Sequence, residues 1–296
     1  MKRNSNNDLN HGSGGACRVA YLGPEATYSH QAAIALYGPG ADYRGTQTIE
    51  DVFSMVEKGE CREGVVPVEN SYEGAVNITL DLFYKYNILI QAEGYLRIRH
   101  SLLSMVKDPA DLKCIYSHPQ ALAQCREWIK NNLQNIELFE TSSTALAAKR
   151  ASEIRQSGAI GSRFAADIYG LGILREGIED DSNNVTRFLV IGKTRSAPTG
   201  NDKTSIIFSL HHRPGALYNC LRIPAERNVN VTSIESRPMK KSSWEYMFFV
   251  DLEGHEKSED LSEALKEMEA FCVFLKRLGS YPRRGALQTD HLSSDS

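Results

Sequence analysis

The stretch RVAYLGPEATYSHQAAIAL at residues 18–36 indicates the fold class of this chain. It opens with a short apolar β run over residues 18–22, passes through a polar loop and continues as a helical pattern over residues 29–36. The same strand-then-helix unit recurs at 64–68 and 74–84, 113–116 and 119–130, 136–139 and 143–154, and 159–161 and 163–169, before a closing strand at 187–191. This alternation predicts an α/β architecture with mostly parallel strands.

The alternation is interrupted once, around residues 92–105, where the extended runs YLRIR and SLLSMV follow each other without a helix. We interpret this segment as a crossing between two lobes. After a polar linker at 194–203, TRSAPTGNDK, the strand and helix patterns follow the order βαββαβ, which is ferredoxin-like and suits ligand sensing. The predicted organisation is therefore a flexible leader at 1–16, a two-lobed domain at 17–193, the linker, a small domain at 204–281 and a flexible tail at 282–296.

Composition excludes several classes of function. The formal net charge is −3 with charges of both signs spread along the chain, so the sequence offers no basic face for nucleic acid. Its six cysteines are scattered without a CxxC pair or a histidine at metal-ligand spacing, which favours reduced thiols and no metal site. No apolar run has the length of a membrane span and no signal peptide is evident, so we expect a soluble, cytoplasmic protein.

Polar side chains follow four of the predicted strands, and each group opens a helix. Singly, these groups are ordinary helix caps, but parallel strands bring their carboxyl ends to one edge, where helix N-termini favour anions. Four such junctions together predict a shared crevice for a small carboxylate. The junctions are GPEATYSH at 23–30, ENS at 69–71, SHPQ at 117–120 and ETSS at 140–143.

Cofactor and hydrolase motifs are missing from these junctions. The chain has neither the GxGxxG nor the GxxxxGK[ST] phosphate-binding pattern, and it lacks GxSxG and HExxH. Nucleotide cofactors and covalent or metal-assisted hydrolysis are therefore disfavoured. His30 and His118 lie at crevice loops, where a cap or structural hydrogen bond is the more common role. The segment NNVTRF at 183–188 is more informative because an arginine is a natural bidentate partner for a carboxylate.

The motifs at these places resemble one family. YLGPEATYSHQAA at 21–33, PVENSYEGAVN at 67–77, YSHPQALAQC at 116–125 and NNVTRFLVIG at 183–192 are similar, in this order, to the signatures of the prephenate dehydratase catalytic region. RPGALYNCL at 213–221, IESRP at 234–238 and GSYPR at 279–283 resemble the phenylalanine-binding ACT domain of that family. The resemblance covers nearly all of the chain outside its two polar ends.

The resemblance implies a catalytic region of periplasmic-binding-protein type, two α/β lobes about a cleft that binds prephenate. Carbon dioxide and hydroxide would leave to give phenylpyruvate, without a metal or organic cofactor. Thr186 would assist departure of the ring hydroxyl, Arg187 would hold a substrate carboxylate and Phe188 would shape the apolar wall. Further substrate-binding positions implied by the match are Asn70, Ser117, Gln124, Ser29 and Thr144, while Glu69 and Glu140 are either acids, orienting groups or helix N-terminal carboxylates.

The ACT resemblance implies a second ligand site. L-phenylalanine would bind there as a feedback inhibitor, and because such sites usually form between subunits, a homodimer or homotetramer is expected. The implied effector-binding residues are Pro214, Gly215, Ala216, Leu217, Glu235, Ser236, Arg237 and Pro238.

Two alternatives stay open at this point, while chorismate mutase activity is not expected. Bifunctional relatives carry a helical chorismate mutase segment in front, and with only a short polar leader here we expect a monofunctional dehydratase. Arogenate dehydratase shares these motifs and performs the same elimination on the transaminated substrate. A noncatalytic amino-acid sensor would also combine a two-lobed fold with an ACT domain, although it has no need for the Thr186 hydroxyl.

Overall fold

A computed structural model describes residues 18–238 and 246–288, so the predicted leader lies outside the described residues. The strands are β1 (Arg18–Leu22), β2 (Asp42–Thr46), β3 (Glu63–Asn70), β4 (Gly74–Ala75), β5 (Leu89–Arg97), β6 (Ser101–Ser104), β7 (Cys114–Ser117), β8 (Glu137–Glu140), β9 (Ser157–Gly161), β10 (Gly172–Glu176), β11 (Val185–Gly192), β12 (Asp202–Leu210), β13 (Val231–Pro238), β14 (Tyr246–Glu253) and β15 (Cys272–Pro282). The helices are α1 (Tyr28–Tyr37), α2 (Ile49–Lys58), α3 (Asn77–Lys85), α4 (Pro119–Gln124), α5 (Arg126–Asn132), α6 (Thr144–Glu153), α7 (Arg163–Tyr169), α8 (Ala216–Glu226) and α9 (Glu259–Phe271), with a 3₁₀ turn at Pro109–Asp111.

Two mixed sheets form the two lobes. The first lobe has the strand order β2-β1-β3-β11-β5, with β4 paired to β3, and the second has the order β10-β6-β9-β7-β8. The chain passes from the first lobe to the second between β5 and β6, as predicted, and returns between β10 and β11. The cleft between the lobes is therefore bordered by both crossings.

The expectation of mostly parallel strands is wrong. β1 runs parallel to β2 and β3, and β7 runs parallel to β8 and β9, but β11 is antiparallel to both of its neighbours, and β6 is antiparallel to β9 and β10. The physical reason lies in the crossings. The chain enters β6 directly from β5 of the first lobe, and it enters β11 directly from β10 of the second lobe. Neither strand follows a helical crossover from a neighbour in its own sheet, so neither has to run parallel to its neighbours.

The sequence prediction missed the strands β2 and β10 and the helix α2, and its helix at 74–84 included the short strand β4. β2 is a polar edge strand, DYRGT, so hydrophobic patterning does not reveal it. The start of α2 does carry a local signal, a capping box in which Thr48 accepts from the Asp51 backbone and Asp51 accepts from the Thr48 backbone. The helix predicted at 119–130 is divided at Cys125 into α4 and α5.

The small domain confirms the predicted βαββαβ order, with its sheet arranged β13-β14-β12-β15. One sheet face packs against α8 and α9. The other face shares a continuous hydrophobic core with the first lobe, in which Ile207, Phe249 and Tyr281 join Phe83 and Ile90. Burial of this apolar surface holds the small domain against the sheet that contains β11. No helix within residues 18–238 and 246–288 is long and apolar enough to cross a membrane.

The expectation of a flexible tail from residue 282 is wrong as far as the described residues extend. Leu287 donates its backbone N–H to the Tyr95 carbonyl at 2.8 Å, and Ala286 forms a parallel bridge to Tyr95. The Leu287 side chain lies over Gly94, where an added Cβ would come within 2.7 Å of it, and packs on the core of the first lobe. Polar composition did not reveal this return because the contact needs only one leucine and a glycine.

We predict that Leu287→Ala destabilises the chain by about 1–2 kcal/mol, which is below the cost at a fully buried leucine because Leu287 is half-buried. Urea unfolding measures this change. The exposed neighbour Gln288 provides the matched control, and Gln288→Ala should change the unfolding free energy by less than about 0.5 kcal/mol. Equal, negligible effects of both substitutions would contradict the docking of this segment.

Candidate active site

A cavity of about 280 Å³ lies in the cleft between the lobes. All four polar junctions that the sequence singled out contribute to its wall, and so does β11. The lining residues are Leu22, Thr27, Tyr28, Ser29, Pro67, Asn70, Ile98, His100, His118, Gln120, Ala121, Gln124, Ser142, Ser143, Thr144, Asn184, Thr186 and Phe188. The wall is thus neutral and polar on the helix starts and apolar where Phe188 packs into the core of the first lobe.

The Thr186 hydroxyl is oriented by Asn70. The side-chain oxygen of Asn70 accepts from the backbone N–H groups of Tyr72 and Glu73, at 3.0 and 3.3 Å, and this fixes which end of the amide is the NH₂ group. That NH₂ group donates to Thr186 Oγ1 at 2.9 Å and to Asn184 Oδ1 at 2.8 Å. Because Thr186 accepts from Asn70, its own hydroxyl proton remains to be donated, and the side chain lies on the cavity wall.

The hydrogen-bond network continues from Asn184 across the cleft. Asn184 donates to Gln124 Oε1 at 3.0 Å, and the same oxygen lies 2.9 Å from His100 Nε2. An amide oxygen only accepts, so His100 carries its proton on Nε2, which leaves Nδ1 facing the Tyr28 hydroxyl at 3.0 Å. Side chains of both lobes are therefore joined by one uncharged network that ends at Thr186.

The sequence analysis did not identify Tyr28, His100 or Asn184 as site residues. Burial lowers the pKa of His100, against a smaller opposite effect of its bond to Gln124, so the imidazole is neutral at pH 7. Burial, followed by the nearby Cys125 and Glu179, raises the pKa of Tyr28 well above its usual value, so the phenol stays protonated. Tyr28 and Asn184 lay within the quoted motifs, whereas His100 lies on the lobe crossing and carried no local signal.

Ser29 and Thr144 lie on the cavity wall as predicted, in the first turns of α1 and α6. Thr27 caps α1 by accepting from His30 N, and Ser143 caps α6 by accepting from Leu146 N. The first four N–H groups of a helix have no acceptor within the helix, and the helix dipole is positive there. Two ten-residue helices therefore point their anion-favouring ends at one cavity.

His30 has the structural role that the sequence favoured. Its Nδ1 accepts from Ala26 N at 3.2 Å, and its ring stacks on Tyr21 with centroids 4.5 Å apart. Burial lowers the pKa of His30 to about 4. His118 likewise caps α4 by accepting from Gln120 N, although it also lines the cavity.

Ser117 does not reach the cavity, contrary to its predicted role in substrate binding. Its side chain is fully buried and donates to the Ile160 carbonyl on the neighbouring strand β9 at 2.7 Å. It therefore joins two strands of the second lobe. Glu69 and Glu140 also lie outside the cavity wall, and the Glu140 side chain is exposed.

Arg187 is likewise not on the cavity wall, so its predicted contact with a substrate carboxylate does not fit its placement. Side chains alternate along a strand, and Thr186 and Phe188 occupy the cleft side of β11, so Arg187 faces the opposite side. There its guanidinium contacts Glu93 Oε2 at 2.8 Å and Asp251 Oδ2, in the small domain, at 2.6 Å. Period-2 alternation within TRF predicts that Arg187 points away from the face of Thr186 and Phe188, but not which side chains it meets there.

The small domain contains a second cavity of about 150 Å³ at the start of α8. Ala216 and Leu217 line it as predicted, and Pro214 and Gly215 form the turn before α8, where Gly215 has a φ of +76° that favours glycine. The sequence analysis did not identify its other lining residues, which are Leu210, His211, His212, Arg213, Tyr246 and Phe248.

The four predicted effector residues on β13 are divided between the two faces of the sheet. Ser236 and Pro238 pair with Phe248 and Tyr246, the β14 residues of the cavity. The alternate residues Glu235 and Arg237 point toward the first lobe, and Arg237 Nη2 lies 3.3 Å from Asp81 Oδ2 on α3. Glu235 and Arg237 therefore do not line the α8 cavity, because a continuous motif on a strand presents two faces.

Comparisons with known proteins agree with both halves of the chain. The family model described as prephenate dehydratase matches residues 19–196, and the ACT domain model matches residues 204–270. A bifunctional chorismate mutase/prephenate dehydratase of Aquifex aeolicus is 48% identical over 90% of this chain and 74% of its own length. A prephenate dehydratase of Methanocaldococcus jannaschii is 42% identical over 89% of this chain and 97% of its own length, and arogenate dehydratase 2 of Petunia hybrida is 39% identical over 91% and 72%.

Solved structures show the same arrangement. The prephenate dehydratase of Arthrobacter aurescens in complex with L-Phe superposes with a TM-score of 0.82 at 32% identity, over 90% of each chain. GqqA, described as a novel type of quorum quenching acylase, superposes with a TM-score of 0.82 at 31% identity, over 90% of this chain and 98% of its own. The fold is thus shared by proteins with different named activities.

We predict that His30 titrates with a midpoint near pH 4 when its ring protons are followed by NMR. The folded pKa lies below the unfolded value of about 6.5, so the stability that neutral His30 contributes is complete above pH 6.5 and is lost as the pH falls toward 4. His30→Gln keeps an acceptor but does not titrate there, so its unfolding free energy should depend less on pH over this range. A His30 midpoint at or above 6.5 would contradict the buried, neutral imidazole.

Proposed function

This chain belongs to the prephenate dehydratase family, and we propose that its cleft converts prephenate to phenylpyruvate with release of carbon dioxide and water. The observation that carries this proposal is the Thr186 hydroxyl on the cavity wall, which accepts from Asn70 and has its proton left to donate. A small dicarboxylate with a leaving hydroxyl suits a cavity of about 280 Å³ that two helix N-termini border.

The reaction breaks two bonds on the substrate ring. The bond to the ring carboxylate breaks and carbon dioxide leaves, and its electron pair enters the ring as the carbon–oxygen bond of the ring hydroxyl breaks. The departing hydroxide takes up one proton from solvent and becomes water, while the ring becomes aromatic. Aromatisation supplies much of the driving force, so the protein has to orient the substrate and stabilise the departing oxygen.

Thr186 is proposed to stabilise that oxygen by donating a hydrogen bond. A threonine hydroxyl is a weak acid, so we propose a bond to the departing oxygen, directly or through water, instead of complete proton loss. The bond from Asn70 makes the Thr186 hydroxyl a better donor, because hydrogen bonds in a chain polarise one another. The network through Asn184 and Gln124 keeps Asn70 in place.

The two carboxylates are proposed to bind at the starts of α1 and α6, where Ser29 and Thr144 line the cavity. Free backbone N–H groups and the positive dipole ends would stabilise the negative charge. Phe188 supplies an apolar wall for the ring. This arrangement assigns no role to Arg187 in carboxylate binding, because its guanidinium lies on the other side of β11.

Prephenate and arogenate differ only in the side chain that carries the keto or amino group, and a relative at 39% identity is named arogenate dehydratase. The cavity wall holds no carboxylate side chain to pair with an ammonium group among the described residues. A neutral wall bordered by helix N-termini favours the keto acid. We therefore propose prephenate as the substrate, with arogenate as the alternative that the assay must include.

The cavity at α8 is proposed to bind L-phenylalanine as a feedback inhibitor. The relative of Arthrobacter aurescens, with the same two domains, was solved with L-Phe bound. Here the start of α8 supplies N–H groups for a carboxylate, and Leu217 and Phe248 supply apolar surface for a ring. A homodimer or homotetramer remains part of this proposal, as does a cytoplasmic location.

A single dehydratase activity is also a proposal. The first relatives are named bifunctional, and the chain covers about three quarters of their length. The dehydratase family match and the ACT match together account for residues 19–196 and 204–270. We propose the dehydratase reaction as the activity of these residues.

We predict that Thr186→Ala lowers kcat for phenylpyruvate formation by about 100- to 1,000-fold, the usual cost of losing one donor to a developing oxyanion. The assay follows phenylpyruvate from purified prephenate. Thr186→Ser keeps the hydroxyl and is the matched control, expected within about tenfold of the unsubstituted chain. Undiminished turnover in Thr186→Ala would remove the residue from the mechanism. Turnover with arogenate alone would change the substrate, and folded protein inactive on both substrates would favour the noncatalytic sensor.

We predict that Ala216→Leu, which fills the cavity at α8, raises the phenylalanine concentration for half-inhibition by about tenfold or more, since overpacking costs about 1–3 kcal/mol. Basal turnover should not change, because Ala216 packs on the α8–α9 face of the small-domain sheet, opposite the face that meets the first lobe. Ala270→Leu, at an exposed position near the end of α9, is the matched control and should keep its inhibition. Unchanged inhibition in Ala216→Leu would place the effector elsewhere.

A further inference from the structure

Four charged side chains are buried together where β11 meets the small domain. The exposed fraction is 4% for Arg187, 1% for Glu93, 6% for Lys203 and 0% for Asp251. Glu93 and Arg187 belong to the first lobe, whereas Lys203 and Asp251 belong to β12 and β14 of the small domain. The set carries two positive and two negative charges, one of each sign from each domain, and docking adds the pairs Arg187–Asp251 and Lys203–Glu93 across the interface.

Arg187 is at the centre of this cluster. Its Nε donates to Glu93 Oε2 at 2.9 Å, its Nη1 lies 2.6 Å from Asp251 Oδ2, and its Nη2 donates to the Tyr281 hydroxyl at 3.0 Å. Lys203 Nζ contacts Glu93 Oε2 at 2.8 Å. The guanidinium thus has three close partners, two of them residues of the small domain, while Glu69 Oε2 lies farther away, 4.0 Å from Nη1.

The partners of Arg187 are themselves held in place. Ser205 donates to Asp251, and the Ser205 and Tyr281 hydroxyls are 2.7 Å apart. Both residues are fully buried. A buried charge that loses its partner is strongly destabilised, so the position of Arg187 depends on the position of Asp251.

The strand β11 is irregular next to Arg187. The pairing of β11 with β3 has a register shift between Arg187 and Phe188, and such irregularities interrupt the hydrogen-bond ladder and redirect side chains. Thr186 and Phe188 flank Arg187 and face the cleft. The Arg187 guanidinium is held on the side of β11 that faces away from the cleft. It therefore sets the position of β11 where the Thr186 hydroxyl must meet the substrate.

Resting on the proposed function, we propose that Arg187 is a positioning residue for the dehydratase reaction and that Asp251 and Tyr281 of the ACT domain are what hold it. The ACT domain then completes the active site from behind β11, in addition to binding an effector. Arg187 acts through Thr186 and does not touch the substrate. Loss of its partners should therefore lower kcat and leave KM unchanged, whereas loss of a carboxylate-binding group would raise KM.

The test is Asp251→Asn in the full chain, assayed without phenylalanine. Asparagine keeps the shape but removes the charge that pairs with Arg187, and we expect kcat to fall about 10- to 100-fold, the usual effect of a small misplacement of a reacting group. KM should stay within about twofold. Asp81→Asn is the matched control, because it removes a different ion pair between the domains, with Arg237, at a site away from β11, and its kcat should be unchanged.

Tyr281→Phe is a second, milder variant, which tests the proposal even if Asp251→Asn does not fold. It removes only the hydroxyl that contacts Arg187 and Ser205, and we expect a smaller fall in kcat, about threefold to tenfold, again at constant KM. Circular dichroism and a thermal midpoint establish that each variant is folded.

The outcomes separate this proposal from the proposed function. If the unsubstituted chain does not turn over prephenate, the function itself fails. If it does, and folded Asp251→Asn and Tyr281→Phe retain full kcat, the positioning role is overturned. A rise in KM at constant kcat would overturn it as well, in favour of a direct contact between Arg187 and the substrate. An equal loss of kcat in Asp81→Asn would show that domain docking in general, and not Arg187, is responsible.

Discussion

The alternation of side chains along β11 is the constraint on which the rest of the molecule depends. Because consecutive residues of a strand point to opposite faces, Thr186 and Phe188 line the cleft while Arg187 enters the interface with the small domain. The three residues 186–188 therefore contribute both to the cleft wall and to the interface with the small domain. β11 also comes from the second lobe and is inserted between β3 and β5 of the first, so it joins both lobes and the small domain.

The hydrogen-bond partners of the side-chain amides in the cleft fix which end of each amide is the oxygen and which is the NH₂ group. This in turn orients the Thr186 hydroxyl. Asn70 has both acceptor and donor positions engaged, which leaves Thr186 one direction in which to donate. The remaining network through Gln124 and His100 is uncharged, since burial lowers the pKa of His100 and keeps its imidazole neutral at pH 7. A neutral wall has a chemical advantage here. Under the proposed function, helix N-termini would stabilise the negative charge of the substrate in place of fixed cations, which would also hold the product.

Docking of the small domain has a hydrophobic part and an ionic part. The apolar core shared between its sheet and the first lobe supplies most of the attraction, while the buried ions specify one relative position, because any shift would leave a charge unpaired. β14 carries Tyr246 and Phe248 at the α8 cavity and Asp251 at the ionic cluster. The α8 cavity and the side of β11 that faces away from the cleft are thus contacted by the same strand.

Sequence alone determined the two-lobed α/β region, the βαββαβ domain after it and the family, since periodicity and ordered motifs are local properties of the chain. It also predicted six site residues that the structure places on the wall of the cleft cavity, namely Ser29, Asn70, Gln124, Thr144, Thr186 and Phe188. Sheet direction, the roles of Ser117 and Arg187, and the contribution of His100 were decided by the tertiary structure. These depend on which strands become neighbours and which face each presents, and residues far apart in sequence, such as Arg187 and Asp251, meet only after the domains have packed.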